Sequence, residues 1–270
     1  MSLFFFLACS TPQMGAVYKE QRVPVMDMHL HTGEWEYISS RSREFFAEIF
    51  PFPFNLDPQS TAETILSAEG VLKEMDNGGF SRSILFAVYA PRSVGVTTNE
   101  WVIEQVEKEP TRLYGLASLS VENWAVEKDA QLQKLADALE HPSMIGVKLA
   151  HPHQFFRMDD PAYYPIYDVA AQYNAPVYVH TGPSPFIGTN QEEPYINPNY
   201  LEEAISTHPE TQFILGHLGF DFVNKKQKWL DDCLRLAETY SNVWLEPSAL
   251  GSESSDPDQV ILVEAYQKIK

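Results

Sequence analysis

The chain has 270 residues, 44% of them hydrophobic and 21% charged, and a formal net charge of −18. That length suits one sizeable core or a single α/β barrel; the acidic balance excludes a nucleic-acid binder and offers no basic patch to an anionic membrane. With only Cys9 and Cys233, a disulfide framework and a cysteine-rich metal cluster are also excluded, so any metal must sit on histidines and carboxylates.

Residues 1–20 read as a leader. Ser2-Leu3-Phe4-Phe5-Phe6-Leu7-Ala8-Cys9-Ser10 is an apolar run ending at a lone cysteine, like the tail of a bacterial lipoprotein signal with Cys9 as the lipidated residue. That reading places the protein in the cell envelope. A disordered start to a cytoplasmic protein is the equal alternative.

Residues 21–270 repeat a strand–helix unit. Val23 to His31 is the first predicted strand, interrupted by Asp27 and ending in His29-Leu30-His31. A Pro- and aromatic-rich insertion follows, from Gly33 to Gln59. Ser60 or Thr61 then caps a helix to Asp76, stopped by Asn77-Gly78-Gly79. Further strands are predicted at 83–89, 113–118, 144–149, 177–180, 212–217 and 243–246. Helices are predicted between them at 99–109, 123–140, 160–173, 198–207 and 225–240, with a last one from 257 to 269. The strand starts at 113, 144, 177, 212 and 243 are 31 to 35 residues apart, the length of one βα unit. The strands are short apolar runs without alternation, as expected when both faces are covered. Seven such units predict a TIM-type (β/α)8 barrel that lacks its eighth βα unit in this chain. A doubly wound sheet is the alternative, but no Gly-rich phosphate loop follows a strand.

In a strand, alternate side chains share a face, so His29 and His31 together make half of a tetrahedral zinc site. Asp27, one step deeper on that face, is placed to orient a ligand. Barrels keep their active sites at the carboxyl ends of the strands. There the fourth strand ends near Lys148, the fifth at His180, the sixth at His217 and the seventh at Glu246. Four of the eight histidines therefore meet on one rim. His141 and His208 each close a helix before a proline and read as structural. His151 and His153, after the fourth strand, are expected to line the pocket. An apolar strand rarely buries a lysine without a partner, so Lys148 is expected at the rim, binding a substrate carboxylate or a nearby acid. The aromatic segment from Trp35 to Phe54 is expected either to lid the site or to pack over the barrel mouth.

Met26-Asp27-Met28-His29-Leu30-His31, Gly146-Val147-Lys148-Leu149, Val179-His180-Thr181-Gly182 and Gly216-His217-Leu218-Gly219 occur in an order and spacing that resembles the amidohydrolase superfamily. The resemblance is closest to its amidohydrolase-2 branch, which includes aminocarboxymuconate-semialdehyde decarboxylase, and runs from Val23 to the C-terminus. It implies one divalent metal ion, usually Zn2+, on His29, His31 and His180. It further implies a catalytic His217 that polarises the substrate or the attacking water. In some of the superfamily a strand-four lysine, here Lys148, is carboxylated and bridges a second metal. The branch also carries an Asp at the end of an eighth strand, as ligand and general base. No late carboxylate here stands in that context: Asp256-Pro257 reads as a helix cap, and Glu246 belongs to the seventh strand. The chain is therefore expected to be a C-terminally truncated barrel.

The activity so implied is metal-dependent hydrolysis of a small cyclic amide, lactone or related carboxylated compound through an activated water. Non-oxidative decarboxylation of an unsaturated or aromatic acid on the same metal frame is the alternative. A non-catalytic envelope protein with a degenerate barrel is the reading from a different class. The expected partner is a small-molecule substrate and not a nucleic acid. A lipid anchor at Cys9 and a homodimer stay open.

Overall fold

Apolar residues at alternate positions of the strands fall into two separate clusters, one on each face of a single sheet. The structure, a computed structural model, describes residues 14–248, 250 and 258–268. Its main sheet holds seven strands: β1 (Met26–His31), β2 (Arg82–Phe86), β3 (Leu113–Ala117), β4 (Met144–Leu149), β5 (Val177–His180), β6 (Phe213–Gly216) and β7 (Val243–Glu246). They lie in chain order, and every neighbouring pair is parallel. Leu85, Leu113, Val147, Val177, Val179, Phe213 and Leu215 face outward and pack with helix residues such as Val102, Leu135, Ile166 and Leu236. Ile84, Phe86, Leu116 and Tyr178 face inward, with Met28, Tyr114 and Ile214 against them.

Laid flat, seven strands spaced about 4.8 Å apart would separate the outer two by about 29 Å. Yet Oγ of Ser248, just past β7, lies 3.0 Å from Nδ1 of His29 on β1. The sheet is therefore curled into an incomplete (β/α)8 barrel, as the seven predicted units imply.

Two register shifts decide which side chains reach the interior. Along β1 and β2 the pairing moves from Asp27–Ser83 to Leu30–Leu85, so Met28 and His29 together oppose Ile84. Between β3 and β4 it moves from Gly115–Met144 to Leu116–Gly146, and the extra residue, Ile145, turns Lys148 inward. The first shift breaks the alternation that was expected to put Asp27 on the face of His29 and His31.

Several predicted elements differ in detail. The first strand starts at Met26 because Pro24 interrupts it, and Gln21–Val23 instead pairs antiparallel with Ala16–Tyr18. That hairpin reaches into the segment read as a leader; Cys9 and Asp256-Pro257 lie outside the described residues. The insertion holds a helix, α1 (Ser40–Ile49), capped by the Ser39 hydroxyl. The helix predicted to begin at residue 60 is two, α2 (Pro58–Ile65) and α3 (Ala68–Gly78), capped by Asp57 and Ser67. They meet at Gly70, where a Cβ would come within 2.2 Å of the Thr64 carbonyl oxygen, so a side chain there would force them apart. Of the two histidines read as structural, His208 Nδ1 lies 2.8 Å from the Ala204 carbonyl oxygen and His141 Nε2 lies 3.3 Å from Glu107.

Candidate metal centre and active site

Glu246 ends β7 on the inward side, buried, and its carboxylate gathers three donors. The Tyr178 hydroxyl donates to it at 2.5 Å, Ser248 Oγ at 2.7 Å and the Ser248 backbone N–H at 2.8 Å. Tyr178 and Ser248 have then used their only hydroxyl protons, so their oxygens can only accept from the imidazoles beside them. His29 Nδ1 lies 2.8 Å from the Tyr178 oxygen and 3.0 Å from Ser248 Oγ. His217 Nδ1 lies 3.0 Å from Ser248 Oγ and 3.2 Å from the Ser248 carbonyl oxygen. Assigned from these hydrogen bonds, both rings carry their proton on Nδ1, and both Nε2 atoms keep a bare lone pair.

The Nε2 of His29 stands 3.2 Å from the Nε2 of His31. Two nitrogens on one tetrahedral zinc-like cation, each at about 2.05 Å, would be about 3.3 Å apart. The pair therefore fits a shared cation. Burial, with repulsion from Lys148, holds the imidazoles below their ordinary value: His217 and His153 near 3, His29 and His180 well below the usual range. His31, at the cavity mouth, falls to about 4 by the same burial and the same Lys148 repulsion. All are neutral at physiological pH, the form in which imidazole binds a metal.

The other expected residues are placed as follows. His180 is buried on β5, but its Nε2 lies 3.1 Å from the Gly182 carbonyl oxygen, which takes up its proton. His180 accordingly does not join the His29–His31 pair in this arrangement. Among the described residues, the set of three whose donor atoms all lie within 4.8 Å of one another is His29, His217 and Glu246. There the Tyr178 and Ser248 hydroxyls bridge the carboxylate to the rings. Asp27 accepts from the backbone N–H of His29 at 2.9 Å, so it pins the bulge of β1; Tyr178 and Ser248, not Asp27, orient the ring. His153 faces the cavity with Nδ1 2.9 Å from Ser93 Oγ. His151 does not line the cavity: it is buried against Phe156, ring centroids 4.1 Å apart, pushed down to about 3 by burial. Lys148 is 2% exposed at the cavity wall, lowered by burial to about 7 against the pull of Glu246.

Backbone geometry holds these groups in register. His217 and Leu218 take positive φ, 66° and 51°, ahead of Gly219 at 68°. Two consecutive non-glycine residues in that region are strained. Thr181 holds the turn, donating to the Gly216 carbonyl at 2.6 Å and accepting from the Gly219 N–H at 2.9 Å. A Cβ at Gly216 would lie 2.1 Å from the Tyr178 hydroxyl, so glycine at the end of β6 is what admits the phenol.

The cavity beside these groups measures about 420 Å3. His29, His31, Lys148, His153, His180 and His217 line it together with Phe45 and Phe46 of α1, Phe186 and Phe222. The aromatic insertion thus packs over the barrel mouth and forms part of the wall.

An incomplete barrel with neutral imidazoles gathered at the carboxyl ends of its strands defines a metal-binding enzyme of the TIM-barrel class. The chain belongs to the amidohydrolase family Amidohydro_2, whose model matches residues 26–268. Membership makes it an enzyme of the metal-dependent amidohydrolase type, and the reading as a non-catalytic protein gives way. No curated protein sequence matches. Among solved structures it is similar to an uncharacterised TIM-barrel protein from Bordetella bronchiseptica, at 18% identity and a TM-score of 0.62, over 83% of this chain and 75% of that one. It is also similar to a probable 2-pyrone-4,6-dicarboxylic acid hydrolase from Acinetobacter baumannii with citric acid bound (17%, TM-score 0.55, 91% and 78%). A 5-carboxyvanillate decarboxylase from Novosphingobium aromaticivorans, complexed with manganese and a nitrobenzoic acid, is similar at 14% identity (TM-score 0.56, 92% and 80%). At these identities the likeness speaks for the fold.

Proposed function

We propose that this chain is a metal-dependent hydrolase of a small cyclic amide, lactone or related carboxylated compound. The observation that carries the proposal is the pair of Nε2 atoms on His29 and His31, 3.2 Å apart in the cavity wall. These two residues would hold one divalent ion, and His180 would join them by releasing the Gly182 carbonyl. All-imidazole donors suit zinc, and the manganese in one similar structure makes that ion the competitor to test. When bound, the ion supplies Lewis-acid polarisation of a carbonyl and a lowered pKa for water.

The chain's own residues do the rest. Glu246, through Tyr178 and Ser248, holds the His29 proton on Nδ1 and keeps Nε2 free. The same network leaves His217 with a bare Nε2, so we assign His217 as the proton acceptor for the attacking water. Of the two roles that the resemblance implied, this keeps the one on the attacking water and drops the one on the substrate, because a neutral ring with its proton on Nδ1 has none at Nε2 to donate. Phe45, Phe46 and Phe222 form apolar wall around the reacting centre.

Non-oxidative decarboxylation is a second reading. It is favoured by Phe45, Phe46, Phe186 and Phe222 in the wall of the cavity, which suit the flat body of an aromatic or unsaturated acid. Assaying zinc- and manganese-loaded protein on lactones, cyclic amides and aromatic acids, with product analysis, tests both readings. Hydrolysis that a chelator abolishes supports the first, carbon dioxide release replaces it with the second, and loss of neither activity on chelation sinks the metal-dependent account.

A further inference from the structure

We propose that Lys148 is the anion subsite of this cavity and holds a carboxylate of the substrate. This rests on reading the cavity as the substrate site. Lys148 sits at the inward end of β4, turned there by the extra residue at Ile145. It is 2% exposed, and its Nζ has no hydrogen-bond partner among the described residues. An ammonium brings three N–H donors, and leaving them unmet in a buried site is costly.

What surrounds Nζ explains which side is open. The ring of Tyr178 lies beneath it at 3.9 Å and that of Phe86 at 4.6 Å. Ring faces attract a cation but offer no carboxylate-like acceptor. The nearest acid acting on it, Glu246, already takes hydrogen bonds from Tyr178 and twice from Ser248. Among the described residues of the cavity wall, Lys148 is the one Lys or Arg side chain, and no Asp or Glu stands there to compete with an incoming anion. A carboxylate on Lys148 would make charge-assisted hydrogen bonds where water is sparse, and those are the strong ones. The same wall carries Phe45, Phe46, Phe186 and Phe222, which suit a flat unsaturated body.

The test is calorimetric titration of benzoate, and of its uncharged counterpart benzamide, into wild-type protein and Lys148→Met, each zinc-loaded and after chelation. Wild type should prefer benzoate to benzamide by about tenfold or more in both metal states, and Lys148→Met should lose that preference. Equal binding of the two probes by wild type overturns the inference without any variant, which covers a Lys148→Met protein that fails to fold. A preference that survives in folded Lys148→Met, or that vanishes on chelation, also overturns it, the latter by putting the carboxylate on the metal. Zinc uptake in the same samples tests the metal separately: a chain that takes no zinc yet prefers benzoate keeps the Lys148 subsite and loses the hydrolase reading.

Discussion

A phenol has one proton to give, and at Tyr178 it goes to Glu246, leaving the oxygen to accept from His29. Removing that hydroxyl should free the His29 ring to turn and to exchange tautomers while the buried aromatic packing stays. Tyr178→Phe is expected to fold, to lose about 1–3 kcal/mol of stability to urea, and to bind zinc about 10–100-fold more weakly in a chelator competition. An unchanged zinc affinity would show that the tautomer of His29 is set elsewhere. The histidines of this site were legible in the sequence because a charged-type residue ending an apolar strand stands out. Tyr178 was not, since an aromatic in a strand reads as core, although it lies two residues before His180 and so shares its inward face. Ser248 carries no signal at all; its role comes from the curl that brings the end of β7 over β1.

At the scale of elements, what positions the site is close packing between strands rather than strand propensity. Gly216 is the clearest case, because its missing Cβ leaves the space that the Tyr178 hydroxyl fills. Gly216→Ala should cost about 1–3 kcal/mol by denaturant unfolding, as overpacked cores do. It should also weaken zinc binding, by moving the phenol. A variant as stable as wild type would mean that β5 and β6 can shift without cost. On α1, Phe46→Ala should raise KM with kcat little changed and leave the metal content alone, since this side chain forms wall and touches no ligand. The strands themselves were legible because their apolar runs recur at a βα spacing. The bulges were not: an extra residue in a parallel strand leaves no mark in hydrophobicity, and it is what removed Asp27 from the face of His29 and brought Lys148 onto it. Nor was α1, whose phenylalanines read as loop because its apolar face covers a cavity mouth instead of the sheet.

Over the whole molecule, the acidic surface encloses an interior lined with imidazoles held neutral. His151 shows the consequence most simply, standing against Phe156, apart from the proposed ligands, with both ring nitrogens unpartnered among the described residues. Its value falls from 6.5 to about 3 on folding. Below pH 6.5 the unfolded chain therefore binds a proton that the folded chain refuses. The stability tied to this group is complete above pH 6.5 and is lost as the pH falls from there toward about 3, with a slope approaching about 1.4 kcal/mol per pH unit. The imidazoles at the site act with the same sign. Acid unfolding followed by circular dichroism should begin below pH 6.5, and His151→Phe should move its midpoint to lower pH; a midpoint that stays put would mean that His151 is protonated in the fold.

The central claim is a cation held between His29 and His31, and elemental mass spectrometry on purified protein, beside His31→Ala, tests it most directly. The account predicts about one divalent ion per chain in wild type and a loss of that ion in the variant, with circular dichroism unchanged. Folded wild-type protein that takes up neither zinc nor manganese, or a variant that retains the ion, would contradict it.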